Sequence, residues 1–284
     1  MSTSQKFSLE LFPPRTPEGA AKLPSTLKKL AATGPEFFSV TYGALGSDQN
    51  GTYDTLMTVV RETGVEAAPH LTCIGSTRGH IAALLQQYRD AGVKRIVALR
   101  GDLPATAYSA AAPGEFHYAN ELVAFIRESH GDYFRIEVAA YPEMHPQAAD
   151  IGSDFAHFKR KVEAGADAAI TQLFYIADAY FAFRDRCAAA GITTPIVPGI
   201  MPITGFQNIV RFTGNCGADL PRWIRLRLEE LQDDKPALLD FGTEVVARLC
   251  ETLIKGGAPS LHFYTINQAD PTLRLCSALG LGRG

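Results

Sequence analysis

Short runs of apolar and β-branched residues alternate along this chain with longer stretches in which apolar side chains recur every three or four positions. The runs are FSLELF from Phe7, FFSVTYG from Phe37, EAAPHLTC from Glu66, RIVALRGD from Arg95, RIEVAAYP from Arg135, AAITQLFY from Ala168, TPIVPGIMP from Thr194 and LHFYTIN from Leu261. The first seven begin 26 to 40 residues apart, and a gap of 67 residues precedes the last. About 30 residues is one strand–helix–strand step. Several runs are apolar almost throughout, as parallel strands covered on both faces should be. Between them, residues 77–91 place Ile81, Leu84, Leu85 and Tyr88 at helical spacing, with Gly92 able to close the end. In Lys235–Lys255, Pro236 suits a first turn, Leu238, Phe241, Val245, Leu249 and Leu253 form a stripe, and Gly256 and Gly257 stop it. Eight strands alternating with helices predict an α/β fold, a (β/α)8 TIM barrel with extra helices before the last strand, as one domain over residues 1–284. An open doubly wound sheet is the alternative.

Composition narrows the function. Of 284 residues, 46% are hydrophobic and 20% charged, which fits a globular domain. The 27 basic and 30 acidic residues leave a net charge of -3, which disfavours a general nucleic-acid binder. Cys73, Cys187, Cys216, Cys250 and Cys276 are odd in number and widely spaced, so they read as reduced thiols of a cytoplasmic protein. The opening MSTSQKFSLE has no apolar run of a signal peptide. Residues 187–206 carry no charge, yet Pro195, Pro198, Pro202, Gly191, Gly199 and Gly205 argue against a membrane helix. The stretch reads as a helix end, a turn and a buried strand.

In a barrel the C-terminal strand ends converge on one face, where such enzymes keep their sites. The ends of the runs supply Glu10, Thr41, Tyr42, His70, Thr72, Arg100, Asp102, Tyr141, Glu143, His145, Gln172, Tyr175, Tyr264 and Asn267. Three readings of this polar ring stand side by side. A metal site would draw on Glu10, His70, Asp102, His145 and His157, but no HxH or HExxH pair occurs. A flavin or nucleotide site would need cations for phosphate. DFAHFKRK offers them, with Asp154, His157 and Lys161 on one helical stripe and Arg160 beside it, though the same spacing suits a solvated helix face. A barrel that only binds a ligand is the third. Glu10, between Leu9 and Leu11, points to chemistry if its pKa is shifted, or to a simple ion pair with Arg100.

FSLELFPPRTPEG, FFSVTYGA, EAAPHLTC, IVALRGDLP, VAAYPEMHP, FKRKVEAGADAAITQLFY, FRDRC, PIVPGIMPI and HFYTIN, in order from residue 7 to 267, resemble the bacterial 5,10-methylenetetrahydrofolate reductases. The resemblance implies a (β/α)8 barrel holding FAD that reduces 5,10-methylenetetrahydrofolate to 5-methyltetrahydrofolate with NADH (or NADPH), feeding methionine synthesis and one-carbon metabolism. It implies a small-molecule folate substrate and, by analogy, a homo-oligomer, while the charge balance and the breakers in residues 187–206 lead us to expect no nucleic-acid or membrane partner. It makes Glu10 the general acid and Asp102 the carboxylate beside flavin and pterin. Thr41, Tyr42, Ala44, His70, Arg100, Gly101, Tyr141 and His145 match flavin contacts. Ala119, Asp154, His157, Arg160 and Lys161 match the part that holds the FAD ribose, phosphates and adenine, with His157 where other members can carry Asn. Gln172, Phe212 and Tyr264 match the folate site, and Gln268 stands where some members have Arg.

The resemblance also implies a ping-pong cycle in which NADH reduces FAD and leaves before folate enters. Amines leave poorly unless protonated, so an acid must protonate N10 of the folate to open its methylene bridge. Glu10 is expected to need a raised pKa for that task, and Asp102 to stabilise the cation formed.

Overall fold

The computed structural model describes residues 5–42, 49–101 and 114–282. Its strands are β1 (Phe7–Leu11), β2 (Phe37–Val40), β3 (Glu66–Thr72), β4 (Arg95–Leu99), β5 (Arg135–Ala140), β6 (Ala168–Thr171), β7 (Ile196–Val197), β8 (Gly199–Ile200) and β9 (Leu261–Tyr264). Each pairing is parallel, in the order β7-β6-β5-β4-β3-β2-β1-β9-β8. The nearly closed barrel matches the expected architecture, with one difference. The run from Thr194 makes two short strands rather than one, because Pro198 between them has no N–H to give. Its carbonyl still accepts from His262 N at 3.0 Å. β7 therefore bonds β6 while β8 bonds β9, and the two halves close the ring.

The helices are α1 (Pro17–Ala31), α2 (Gln49–Thr63), α3 (Arg78–Asp90), α4 (Ala119–His130), α5 (Ile151–Glu163), α6 (Ala177–Ala189), α7 (Phe206–Cys216), α8 (Arg222–Glu230), α9 (Lys235–Lys255) and α10 (Ala269–Ala278). Thr77 caps α3 by accepting from His80 N, and Gly92 follows it at φ +78°. Asp234 caps α9 in the same way through Ala237 N. The long gap before the last strand is filled by α7, α8 and α9.

Alternation along the strands makes two cores. Leu9, Leu11, Val40, Leu71, Ile96, Val138 and Phe263 point outward and are buried beneath the helices. Phe37, Ala68, Val97 and Ile170 pack with one another as a second, separate cluster in the barrel interior. Fully burying one such large side chain contributes about 1.5–3 kcal/mol. The start of β4 adds a buried ion pair to that interior. Arg95 lies 4.1 Å above the Phe37 ring and pairs with Glu137, which is 2% exposed. Among the described residues, no helix is long and apolar enough to cross a membrane. The five cysteines are unpaired, and Cys73, Cys187, Cys250 and Cys276 are buried.

Candidate active site

A cavity of about 480 Å³ opens at the C-terminal end of the strands. That volume suits a small-molecule site. Its wall takes Glu10 from β1, Thr41 after β2, His70 from β3, Tyr141 and His145 after β5, Gln172 after β6 and Tyr264 from β9. Phe212 reaches it from α7. Val97, Leu99, Ile170, Leu173 and Met201 supply apolar surface between these polar groups. The period-2 alternation of the strands explains the convergence, since residues two apart share the inward face.

Glu10 is the centre of the polar part. Its Oε2 lies 3.3 Å from His70 Nε2 and 3.5 Å from His262 Nε2. The His70 contact is off the line of a hydrogen bond, and that buried nitrogen has no other partner. The ion pair with Arg100 does not form: Arg100 instead donates to Gln147 Oε1 and to the Gly101 carbonyl. The expected rise in the Glu10 pKa is also reversed. Burial pushes the carboxyl up, but charge on His70 and the hydrogen bond of His262 outweigh it and hold it at about 2. Tyr264 donates to the Thr171 carbonyl at 2.6 Å, and burial, then Glu10, pushes its hydroxyl well up.

The stripe on α5 forms a second polar region. The Asp150 side chain accepts from Ser153 N and sets the start of the helix. Asp154 Oδ2 accepts from His145 N at 3.0 Å, which ties the stripe to the cavity rim. His157 stacks on Tyr118 at 5.2 Å, directly before Ala119 opens α4, and Arg160 lies beside His157. Lys161 is not on a solvated face. It is partly buried, donates to the Ala139 carbonyl of β5, and is lowered by burial to about 8 despite the opposing pull of Asp154.

Other ring members have structural partners. Tyr175 donates to the Met201 carbonyl, and Asn267 clips both the N–H and the carbonyl of Phe12. Glu143 accepts from Asp219 N, fastening the turn after α7, and burial raises it to about 7. Tyr42, Arg100, Gly101 and Gln268 lie off the cavity wall, Gln268 being exposed at the N-cap of α10. Gly101 adopts φ +88° with Thr72 and Ile74 close against it, a conformation that favours glycine. Ala44 and Asp102 lie outside the described residues. Among the described residues, no three His, Cys, Asp or Glu groups converge to hold a metal.

Sequence reasoning missed His262, Ser8, Gln147, Asn215 and Cys216. The last three line the cavity from loops and a helix end. His262 and Ser8 had a signal: each sits two residues from a recognised inward residue, Tyr264 and Glu10.

The sequence model of the family described as Methylenetetrahydrofolate reductase matches residues 1–280. The 5,10-methylenetetrahydrofolate reductase of Salmonella typhimurium is 39% identical over 280 residues, covering 98% of this chain and 91% of that protein. The protein of the same name from Escherichia coli K12 is 38% identical, with the same coverage. Among solved structures, an uncharacterized protein from Clostridium thermocellum, described as binding two copies of 5-methyl-5,6,7,8-tetrahydrofolic acid, superposes with a TM-score of 0.69. It is 14% identical and covers 98% of this chain and 94% of its own, a likeness of fold.

Proposed function

The chain belongs to the methylenetetrahydrofolate reductase family, and we propose that it reduces 5,10-methylenetetrahydrofolate to 5-methyltetrahydrofolate with FAD as resident cofactor and NADH or NADPH as reductant. The observation that carries this reading is Glu10, a carboxylate on the wall of a largely apolar cavity, in contact with two imidazoles. The unpaired thiols support a cytoplasmic setting.

The residues present fit a flavin dinucleotide. Val97, Leu99 and Ile170 would give apolar contact to a flat ring, and His70 Nε2 is a buried polar atom without a hydrogen-bond partner on the same wall. His70, Tyr141 and His145 would hold the ring system, while Lys161, Arg160 and His157 would hold the phosphates and adenine. When bound, FAD supplies the two-electron transfer that no side chain here provides.

The chain itself supplies the proton. N10 of the folate must be protonated before its bond to the methylene carbon breaks. Glu10 can give that proton once the balance at its carboxyl changes. Its low pKa depends on the two imidazoles, so weakening their hold leaves burial free to raise it. Breaking the bond leaves the methylene carbon electrophilic. Gln172 and Tyr264 line the same wall and would orient the pterin, with Phe212 closing over it.

Chromatography of the flavin released on denaturation checks the cofactor: FAD is expected, and FMN alone, or no flavin after reconstitution, contradicts the reading. Lys161→Ala should weaken FAD binding by about 1–3 kcal/mol without unfolding the barrel, the worth of a charged hydrogen bond. The sign of its pH dependence follows from the lowered lysine pKa. The cation is present below about 8 and lost above it, so FAD affinity of the parent apoprotein should fall as pH rises through that value. Titrations of FAD into both apoproteins read this out. An identical pH profile in parent and Lys161→Ala would remove Lys161 from the phosphate site.

A further inference from the structure

We propose that His262 is a positioning residue for Glu10: its Nε2–H holds Glu10 Oε2 inside the barrel and leaves Oε1 as the atom that gives and regains the proton. This role rests on the reductase reading of the cavity. His262 is 0% exposed and is not on the cavity wall, so it acts through Glu10 rather than on a ligand.

The register of β1 with β9 pairs Ser8 with His262 and Glu10 with Tyr264, so all four side chains face inward. His262 Nδ1 lies 2.7 Å from Ser8 Oγ. Among the described residues Ser8 Oγ has no other hydrogen-bond partner, so its hydrogen goes to Nδ1. The proton of the neutral imidazole is then on Nε2, which faces Glu10 Oε2 and Ser39 Oγ, each at 3.5 Å. The ring cannot turn away, because Phe37 stacks on it at 6.1 Å and Tyr264 meets it edge-on at 5.5 Å. Glu10 Oε1 has no hydrogen bond among the described residues.

The two imidazoles therefore divide the work. His262 is a fixed donor sealed in the interior, whereas His70 lies on the cavity wall. Among the described residues, the titratable groups facing Glu10 are His70 from β3 and His262 and Tyr264 from β9, and β2 and its end add only the hydroxyls of Ser39 and Thr41. A carboxylate that loses a hydrogen-bond donor becomes easier to protonate.

The test follows the Glu10 carboxyl directly by carbon NMR of protein labelled at the glutamate carboxyl carbons, its resonance identified by loss in Glu10→Gln. His262→Phe keeps an aromatic ring but no donor, and should raise the Glu10 titration midpoint by about one pH unit or more. Ser8→Ala, which removes only the hydroxyl that fixes the tautomer, should shift it the same way by less. His262→Gln, whose amide N–H can replace Nε2–H, should return it toward the parent. Stopped-flow pH profiles of reoxidation by methylenetetrahydrofolate should move with the midpoint, and profiles of reduction by NADH should not. Equal midpoints in parent, His262→Phe and Ser8→Ala overturn the role of His262 and leave the reductase reading standing. A shifted midpoint in a protein whose parent is never reoxidised by methylenetetrahydrofolate overturns the reductase reading instead, and with it the catalytic role assigned here.

Discussion

Glu10→Gln should slow reoxidation of the reduced protein by methylenetetrahydrofolate at least about 100-fold while keeping bleaching by NADH within about tenfold of the parent. The amide nearly preserves the shape of the side chain, and His262 Nε2–H can still donate to its oxygen, so fold and flavin content should survive. Reduction by NADH needs no proton from this position. Opening the methylene bridge does, and an amide cannot supply it; general acid catalysis is typically worth about 10²–10⁴-fold. Stopped-flow absorbance separates the two half-reactions. Equal slowing of both would make Glu10 a structural or flavin-positioning group. No slowing of either would place the acid elsewhere, with Asp102 or His70 next in line.

Gly199→Ala should destabilise the protein by about 3 kcal/mol or more, at the upper end of overpacking costs, and lower its melting temperature by about 6–12 °C. A methyl group at Gly199 would overlap the Thr171 carbonyl oxygen and the Tyr264 hydroxyl, the two partners of a hydrogen bond on the cavity side of β6 and β9. One of these is backbone and cannot rotate aside. The substitution should therefore displace Tyr264 from the cavity wall as well as strain the closure through β8. Gly79→Ala is the natural control. It lies in the first turn of α3 with nothing within 4 Å of an added methyl, so it should be neutral or stabilising by about 0.4–1 kcal/mol. Thermal melts of the two variants read the difference. A Gly199→Ala protein as stable as the parent would mean that β8 can move outward without cost to the ring.

The barrel was legible because its signals are local. Each apolar run marks strand, the one from Thr194 being split into β7 and β8, and α9 is marked by Pro236 at its start and Gly256 after its end. The inward-facing Glu10, His70, Gln172 and Tyr264 were legible for the same reason, as polar groups at or just beyond strand ends. What escaped depends on closure. Ser8 and His262 are 254 residues apart, and only the pairing of the first strand with the last brings them together. The direction of the Glu10 pKa shift escaped with them, since burial was foreseeable from Leu9 and Leu11 but the pair of imidazoles was not. Spacing along α5 leaves Lys161 open between a phosphate cation and a solvated helix-face charge, because it does not reveal that the Ala139 carbonyl lies within its reach.

A single anaerobic turnover tests the proposed reduction most directly. The purified protein, reduced by one equivalent of NADH and freed of nicotinamide, is mixed with 5,10-methylenetetrahydrofolate while flavin absorbance and folate products are followed together. The expected result is full return of the oxidised flavin spectrum with one 5-methyltetrahydrofolate formed per flavin. A flavin that stays reduced, or returns without that product, would contradict it.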